Sequence, residues 1–361
     1  MSSLPRQVFE RSVPMVPWSR VVLIVVPVTF FLLFAWEVSM RQLGLHAGDL
    51  DDGRDYWAAE RRKVNSGPRD RVVIIGDSRI LYGSDFAIWQ TLTGYRPIQL
   101  ARVASNASRF LHDLATDEYF TGLVVVGIAE EAYFSDRDNG KRLLEYVQSE
   151  SPSQRIGHQI YKTASRYLAF LDSDYTLFSL IERHDWPERK DVVGPYSYVW
   201  KLSESSDDRE TYFWQRLEHD AFLRERTKQG WLKIFRGAAV TTKVVDRVIA
   251  KSRVDIERIR ARGGEVVWIR PPSSGALLDI ERQRFPRERT WDRLLRETKS
   301  IGVHFEDYPA MQTLDMPDGS HLSRSSAASF TDVYVHALLD RVDWLRVHRG
   351  PHLPAHITAS R

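Results

Sequence analysis

The sequence contains no cysteine among its 361 residues. This absence excludes disulfide bonds, thiol nucleophiles and zinc sites that use cysteine ligands. Neither basic nor acidic residues are concentrated in one part of the chain, since 51 basic and 48 acidic residues are interspersed and the formal net charge is +3. We therefore expect no nucleic-acid partner. Apolar residues make up 43% of the chain, which indicates a folded protein rather than a disordered one.

Long hydrophobic runs are also absent, with one exception near the N-terminus. Residues 21–36 carry no charge, and Trp18 and Trp36 lie near the ends of this run, where aromatic rings favour a membrane interface. With its flanks, the run reaches the length of about 20 residues that a helix needs to cross the hydrocarbon core. The pattern predicts a transmembrane anchor over residues 21–39. A cleaved signal and a buried core helix are the alternatives, but the run is long for a signal and no small-residue cleavage site follows it.

The charges that flank this run predict its orientation. Basic residues dominate before it (Arg6, Arg11 and Arg20 against Glu10) and acidic residues after it (Glu37, Asp49, Asp51 and Asp52 against Arg41). The positive-inside rule then places residues 1–20 in the cytoplasm and the rest of the chain outside the membrane. We expect a single-pass protein of the inner membrane whose main domain is periplasmic.

Beyond the anchor, short apolar runs alternate with amphipathic stretches. The runs predict strands at residues 71–75, 98–100, 123–127 and 265–269, and the stretches predict helices at 55–63, 85–91, 108–117 and 243–262. This alternation predicts an open α/β sheet of parallel strands with right-handed crossovers. The expected organisation is a linker over 40–70 that includes the first helix, a domain over 71–345 and a flexible tail over 346–361.

The interval at about 135–240 breaks the alternation and is predicted to be a mostly helical insertion over the functional edge of the sheet. It is rich in charge and in aromatic residues, namely Tyr196, Tyr198, Trp200, Tyr212, Phe213, Trp214 and Trp231. Aromatic side chains at this density suit core packing, and they also suit stacking on the faces of sugars.

A serine follows the first predicted strand at a turn. The strand ends in Gly76-Asp77-Ser78, and a helix is expected next, so the side chain of Ser78 projects beyond the carboxyl edge of the sheet. Ligands of open α/β folds bind at this edge. The same tripeptide is also ordinary turn and helix-cap chemistry, so a catalytic role for Ser78 needs support from elsewhere in the chain.

That support lies about 240 residues downstream, in the segment Asp318-Gly319-Ser320-His321. A serine needs a base to act as a nucleophile near neutral pH, and the base needs an orienting acceptor. The spacing lets one turn present Asp318 and His321 on the same side, so that Asp318 binds one ring nitrogen and the other faces Ser78. An amphipathic helix predicted over residues 325–344 would hold this turn against the sheet.

Gly-Asp-Ser near the start of the domain and Asp-x-x-His near its end resemble the first and last blocks of the SGNH hydrolase superfamily. The segment 318–323 (DGSHLS), with Phe330 and Thr331, resembles a membrane-anchored bacterial branch of that superfamily. That branch includes proteins that acetylate alginate and other exopolysaccharides or assist D-alanylation of teichoic acid. The resemblance covers roughly residues 70–135 and 260–345.

This resemblance implies a flavodoxin-like three-layer α/β/α sandwich. It also implies that Ser78 is the nucleophile, His321 the general base and Asp318 its partner, with no metal or organic cofactor. The inner blocks fit less closely, because Ala104 stands where the family usually has a glycine whose N–H serves the oxyanion hole. The asparagine of the third block is missing from residues 127–131, and Asn106 is the candidate substitute.

Three charged residues at the predicted edge of the sheet are candidates for substrate binding. Arg79 follows Ser78, Glu130 follows the strand at 123–127, and Arg270 follows the strand at 265–269. Arg270 suits either an anionic substrate or an ion pair with a carboxylate, and Glu130 either faces the site or is a solvated loop charge. His304 and Glu306 are expected on one strand face, but without a third ligand they predict no metal site.

The expected function is acyl transfer through a serine, with O-acetyl groups of a cell-surface polysaccharide added or removed. The acyl donor would have to be delivered outside the membrane, and a membrane-bound O-acyltransferase is the expected partner. Two alternatives stay open: an esterase for lipid or small esters, and a non-catalytic subunit that binds polymer or scaffolds a membrane complex. The missing third-block asparagine favours the second of these, because one lost oxyanion donor costs about 10²–10³ in rate.

Overall fold

The computed structural model describes residues 17–50, 52–135, 140–182 and 201–348. Within these residues the strands are β1 (Val72–Ile75), β2 (Ile98–Gln99), β3 (Leu123–Gly127), β4 (Ser203–Ser205), β5 (Thr211–Phe213), β6 (Glu265–Arg270) and β7 (Ile301–His304). Five of them form a parallel sheet of order β2-β1-β3-β6-β7, whereas β4 and β5 pair with each other in antiparallel fashion.

Helices make up most of the remaining structure. They are α1 (Trp18–Gln42), α2 (Arg54–Val64), α3 (Ser78–Tyr82), α4 (Phe86–Thr93), α5 (Ala107–Thr116), α6 (Glu130–Tyr133), α7 (Lys141–Ser149), α8 (Pro152–Ser165), α9 (Leu177–Glu182), α10 (Gln215–His219), α11 (Ala221–Ile234), α12 (Thr242–Arg260), α13 (Gly275–Arg284), α14 (Trp291–Thr298), α15 (Pro309–Gln312), α16 (Arg324–Arg341) and α17 (Asp343–Val347). Short 3₁₀ turns lie at Ala169–Leu171, Ser173–Tyr175, Arg287–Arg289 and Phe305–Asp307.

The parallel sheet forms where the sequence has its runs of β-branched residues. Every residue of β1 and β3 is buried, as is typical of parallel strands that are covered on both faces. In the register of the sheet, Val73 pairs with Val124, and Val124 pairs in turn with Val266. The predicted α/β architecture with a central parallel sheet is therefore confirmed.

Helices cover both faces of the sheet, so alternate side chains of each strand enter two separate hydrophobic cores. Val72 and Ile74 pack with side chains of α3, α4 and α16, whereas Val73 and Ile75 pack with side chains of α2, α5 and α12. The helices predicted at 85–91, 108–117 and 243–262 are α4, α5 and α12, and their boundaries agree to within two residues.

The first helix, α1, is the one helix in the described part of the chain that is long and apolar enough to cross a membrane. It extends beyond the predicted span of 21–39 at both ends, and none of its most apolar 18-residue window is buried. Pro27 lies inside the helix, which is tolerated in membrane-spanning helices.

The C-terminal end of α1 is attached to the folded domain. The Glu37 carboxylate accepts hydrogen bonds from the backbone N–H groups of Ala169 (3.1 Å) and Phe170 (2.9 Å). Arg41 donates to the carbonyl oxygen of Tyr167 at 3.2 Å. Helix α1 therefore runs directly into the body of the protein.

The interval 40–70, predicted as a linker with a short helix, packs against the domain over most of its described residues. Trp57 of α2 is fully buried, and its indole N–H donates to the carbonyl oxygen of Leu100 at 2.8 Å. Arg61 of the same helix pairs with Asp113 (2.5 Å) and Asp117 (2.7 Å) of the α5 region. Arg61 thus joins α2 to the α5 region through two ion pairs.

The insertion predicted at about 135–240 is mostly helical in its described residues, which include α7 to α11. The hairpin of β4 and β5 is a feature that the sequence pattern does not predict, because each strand has only three residues. Several predictions concern segments outside the described residues, namely Tyr196, Tyr198, Trp200, most of the N-terminal segment 1–20 and most of the tail 346–361.

Two local predictions differ from the structure near the C-terminal half of the sheet. β7 ends at His304, and Glu306 lies in the following 3₁₀ turn, so the two do not share a strand face. The ring of His304 instead accepts the backbone N–H of Glu306 at 3.2 Å, which ends the strand. The helix predicted over 325–344 is divided into α16 and α17 by a break at Val342.

Candidate active site

The carboxyl end of β1 turns into α3, and this turn presents Ser78. Gly76 occupies the turn with φ of 152°, and a Cβ there would lie 2.5 Å from the carbonyl oxygen of Gly127 at the end of β3. Only glycine fits at this close approach of two strands. Asp77 caps α3 by accepting the backbone N–H of Arg79 at 3.0 Å. Ser78 is therefore the first helical residue above the sheet edge.

Ser78 is hydrogen-bonded to a histidine from the opposite end of the chain. The Nε2 atom of His321 lies 2.8 Å from Oγ of Ser78, and its Nδ1 atom lies 2.7 Å from Oδ2 of Asp318. Because an ionised carboxylate only accepts, Nδ1 carries a proton and donates it to Asp318. Nε2 then accepts the hydroxyl proton of Ser78. The fold thus brings together the three side chains that the motifs predict.

The turn that carries Asp318 and His321 is shaped by the same carboxylate. Its Oδ1 atom accepts the backbone N–H groups of Ser320 (2.9 Å) and His321 (2.8 Å). Gly319 has φ of 81°, in the left-handed region that favours glycine, and its carbonyl oxygen accepts the N–H of Ser274 at 2.9 Å. The predicted spacing of three residues therefore does present both side chains from one turn.

Burial differs sharply among the three side chains. Asp318 and His321 are 1% and 2% exposed, whereas Ser78 is partly exposed. Burial acts to raise the pKa of Asp318, but the adjacent imidazole and hydrogen bonds from His321, Ser320 and Trp231 outweigh it and hold that pKa below its ordinary value. Asp318 is therefore ionised at neutral pH, while the hydroxyl group beyond His321 stays within reach of a ligand.

Three aromatic rings from different elements enclose the imidazole of His321. Phe213 of β5 stacks on it with ring centroids 5.5 Å apart, Tyr82 of α3 is tilted at 5.0 Å, and Trp231 of α11 approaches edge-on at 5.3 Å. The Trp231 indole N–H also donates to Oδ2 of Asp318 at 2.6 Å. Two of these rings, those of Phe213 and Trp231, come from the insertion, so parts of the insertion reach this edge of the sheet.

Arg79, Arg270 and Glu130, the residues predicted to bind substrate, are instead joined in a buried ion network. Arg79 pairs with one oxygen of Glu281 on α13, and Arg270 pairs with the other at 2.7 Å. Arg270 also pairs with Glu130 at 2.9 Å. Each of these side chains is at most 6% exposed. Of the two roles weighed for Arg270, the structure shows the ion pair, and Glu130 is not a solvated loop charge.

This network is balanced in charge, with two arginines and two glutamates. Burial acts to raise the pKa of Glu281, but the guanidinium groups of Arg79 and Arg270 outweigh it and lower the pKa to about 2. Burial acts to lower the pKa of Arg270, but Glu130 and Glu281 raise it above its ordinary value. Arg79 also donates to Oγ of Ser320 at 3.2 Å. The network thereby connects the residue after Ser78 to the turn that carries His321.

Ala104 and Asn106, the two residues predicted for the oxyanion hole, lie beside the same edge of the sheet but differ in burial. Ala104 is exposed in the turn after β2, with φ of 55°. Asn106 is buried as the cap of α5, where its side-chain oxygen accepts the N–H of Ser108 at 2.9 Å. Its amide group faces the carbonyl oxygens of Tyr133 (3.4 Å) and Ser135 (3.3 Å). These contacts give Asn106 a structural role, and they argue against the predicted oxyanion role for its side chain.

No group of three potential metal ligands occurs among the residues that the structure describes.

The sequence does not single out Glu281 and Ser320, and it offers Trp231 only as one aromatic residue among several. Ser320 lies inside the Asp-x-x-His motif, which is the one local signal for it. Glu281 and Trp231 reach the site from distant helices and carry no such signal.

Comparison with protein-family models gives no match to this chain, and comparison with curated proteins gives no match either.

Proposed function

We propose that this chain is an SGNH-type serine acyl-transfer enzyme with Ser78 as its nucleophile. The observation that carries the proposal is the hydrogen-bonded series from Ser78 through His321 to Asp318 at the carboxyl edge of a parallel sheet. The order β2-β1-β3-β6-β7 also supports the finer assignment of a flavodoxin-like sandwich, since it corresponds to the doubly wound order 2-1-3-4-5, whose ligands bind beside the first strand.

The proposed reaction begins when Oγ of Ser78 attacks the carbonyl carbon of an ester while Nε2 of His321 takes the hydroxyl proton. Asp318 stabilises the imidazolium that forms. The backbone N–H groups of Ser78 and Ala104 are the proposed donors to the oxyanion. When the tetrahedral intermediate collapses, the leaving alcohol takes the proton from Nε2 and an acyl-enzyme remains. A sugar hydroxyl or water then attacks this ester by the reverse sequence of proton transfers.

The proposed substrate is a cell-surface polysaccharide, to which O-acetyl groups are added or from which they are removed. Three features support this choice: the apolar helix α1 attached to the domain, the partly exposed Ser78, and the partly exposed aromatic ring of Trp231 that the insertion brings to the edge of the site. In this proposal the domain lies outside the inner membrane. Transfer to the polymer, as opposed to removal from it, would then require a membrane-bound O-acyltransferase to supply the acyl group.

The proposal predicts that a fluorophosphonate probe labels the native full-length protein on one residue, Ser78. Such probes form a bond to serine only where a base activates the hydroxyl group. The measurement is peptide mass spectrometry of the labelled chain purified in detergent, with heat-denatured protein as the control. Labelling spread over several serines, or a folded protein without label, would favour the non-catalytic scaffold instead.

The proposed orientation predicts that cysteines introduced before and after α1 in the chain are accessible from opposite sides of the membrane. The natural chain has no cysteine, so any label from a membrane-impermeant maleimide found on the purified chain comes from the introduced residue. In spheroplasts, Val254→Cys on the exposed side of α12 should be labelled, whereas Ser3→Cys should be labelled only after lysis. The reverse pattern would invert the orientation. A mature chain that has lost residue 3 would identify α1 as a cleaved signal.

A further inference from the structure

Trp231 makes a contact with Asp318 that the reaction proposed above does not use. Its indole N–H donates to Oδ2 of Asp318 at 2.6 Å, and the same oxygen accepts Nδ1–H of His321 at 2.7 Å. The other oxygen, Oδ1, accepts the backbone N–H groups of Ser320 and His321. A carboxylate has about four lone-pair sites, so these four donors saturate Asp318.

Three of the four donors belong to the turn that contains Asp318, and Trp231 is the one that comes from the insertion. Its helix, α11, is held beside this turn by Arg224, which donates to the carbonyl oxygen of Pro317 at 3.4 Å and lies 3.6 Å from Asp315. The side chain of Asp318 is buried, so water does not replace a missing donor readily.

We propose that Trp231 is a positioning residue that fixes the orientation of Asp318 and moderates its attraction for the proton on His321. A hydrogen bond to one oxygen of a carboxylate withdraws charge from it. Without the indole donor, Oδ2 interacts more strongly with the imidazolium, and His321 releases its proton at higher pH. The insertion is then part of the machinery that sets the basicity of His321, in addition to any contact that it makes with a polymer.

Other charged groups face Asp318 and His321, and a substitution of Trp231 leaves these groups unchanged. Asp77 and Arg79 approach from the start of α3, and Arg270 acts on Asp77 from the end of β6. Arg224 and Asp315 lie on the side of α11. Since a Trp231→Phe substitution adds and removes no charge, a change in the titration of His321 reports the lost hydrogen bond.

The test is an NMR titration of His321 in the full-length chain, with isotope-labelled histidine and His321→Gln to assign its signal among 11 histidines. Trp231→Phe keeps a ring and loses the donor, so the midpoint of the His321 titration should rise by about one pH unit, a tenfold change in proton affinity. Trp231→Gln keeps an N–H donor and should recover part of the shift. Phe222→Ala, an exposed position on the same helix, should leave the midpoint unchanged.

The rate of fluorophosphonate labelling across pH separates this inference, which rests on the proposed function, from that function itself. Trp231→Phe should react about tenfold more slowly than the natural chain at pH values below both titration midpoints and approach its rate at pH values above them. A midpoint that stays the same in Trp231→Phe, with the rate lowered equally at all pH values, would overturn the positioning role. A shifted midpoint in a chain that never reacts would support the role of Trp231 and contradict the enzyme.

Discussion

Replacement of Asp318 by asparagine is expected to lower kcat/KM for a small ester such as p-nitrophenyl acetate by about 10⁴-fold. The carboxylate accepts the Nδ1 proton of His321, whereas an amide in its place can donate to Nδ1 and leave the proton on Nε2. A protonated Nε2 cannot take the hydroxyl proton of Ser78. Ser78→Ala and His321→Ala should each lower the rate by about 10⁶-fold, and the double variant should lose little more, because the residues act as a unit.

The chain contains a matched control for this substitution. Asp332 and His336 form a second Asp–His pair on α16, 3.5 Å apart, with both side chains more than half exposed. Asp332→Asn changes the same functional group beside the same partner and should leave the rate within about twofold. If Asp318→Asn retained more than about a tenth of the natural rate, the proposed role of Asp318 would be wrong.

The sheet and its turns were predictable because their signals are local. β1 and β3 appear in the sequence as uninterrupted apolar runs, since both faces of each strand are buried. The cap at Asp77 needs only a residue two positions ahead, Arg79, and the turn before it is marked in the sequence by Gly76. The Asp318–His321 turn is equally local, because its carboxylate binds backbone groups two and three residues ahead. Sequence alone therefore predicts Ser78 and the Asp318–His321 turn, whereas the fold is needed to show that the two lie within hydrogen-bond distance.

The environment of the site was not predictable in the same way, because it depends on residues far apart in the chain. Arg79 and Arg270 stand at the expected edge of the sheet, yet Glu281, which pairs with both, comes from a helix whose sequence shows no special pattern. Asn106 was predicted to be an oxyanion donor, but its side chain caps α5 instead. A charge or amide near a predicted site has a role only once its partner is known.

The strongest destabilisation is expected from Glu281→Gln, with a loss of about 3–5 kcal/mol in the free energy of unfolding. Glu281 accepts from Arg79 through one oxygen and from Arg270 (2.7 Å) and Ser273 (2.6 Å) through the other. An amide retains the shape of the side chain but leaves two guanidinium charges facing one remaining carboxylate, that of Glu130. The measurement is denaturant or thermal unfolding of the full-length chain in detergent.

A control substitution for Glu281→Gln is available on the same helix, and the dependence of stability on acid pH gives a second test of the ion network. Arg282 pairs with Glu306 at 2.6 Å at the surface, with the Arg282 side chain 59% exposed, so Arg282→Ala should cost less than about 1 kcal/mol. The pKa of Glu281 is lowered from 4.5 to about 2 in the folded chain. A depressed pKa contributes stability above the unfolded value of 4.5, and that contribution is lost as pH falls from there through about 2. Glu281→Gln should lack this part of the acid dependence, and a variant that unfolds with acid as the natural chain does would show that the network is not the stabilising feature.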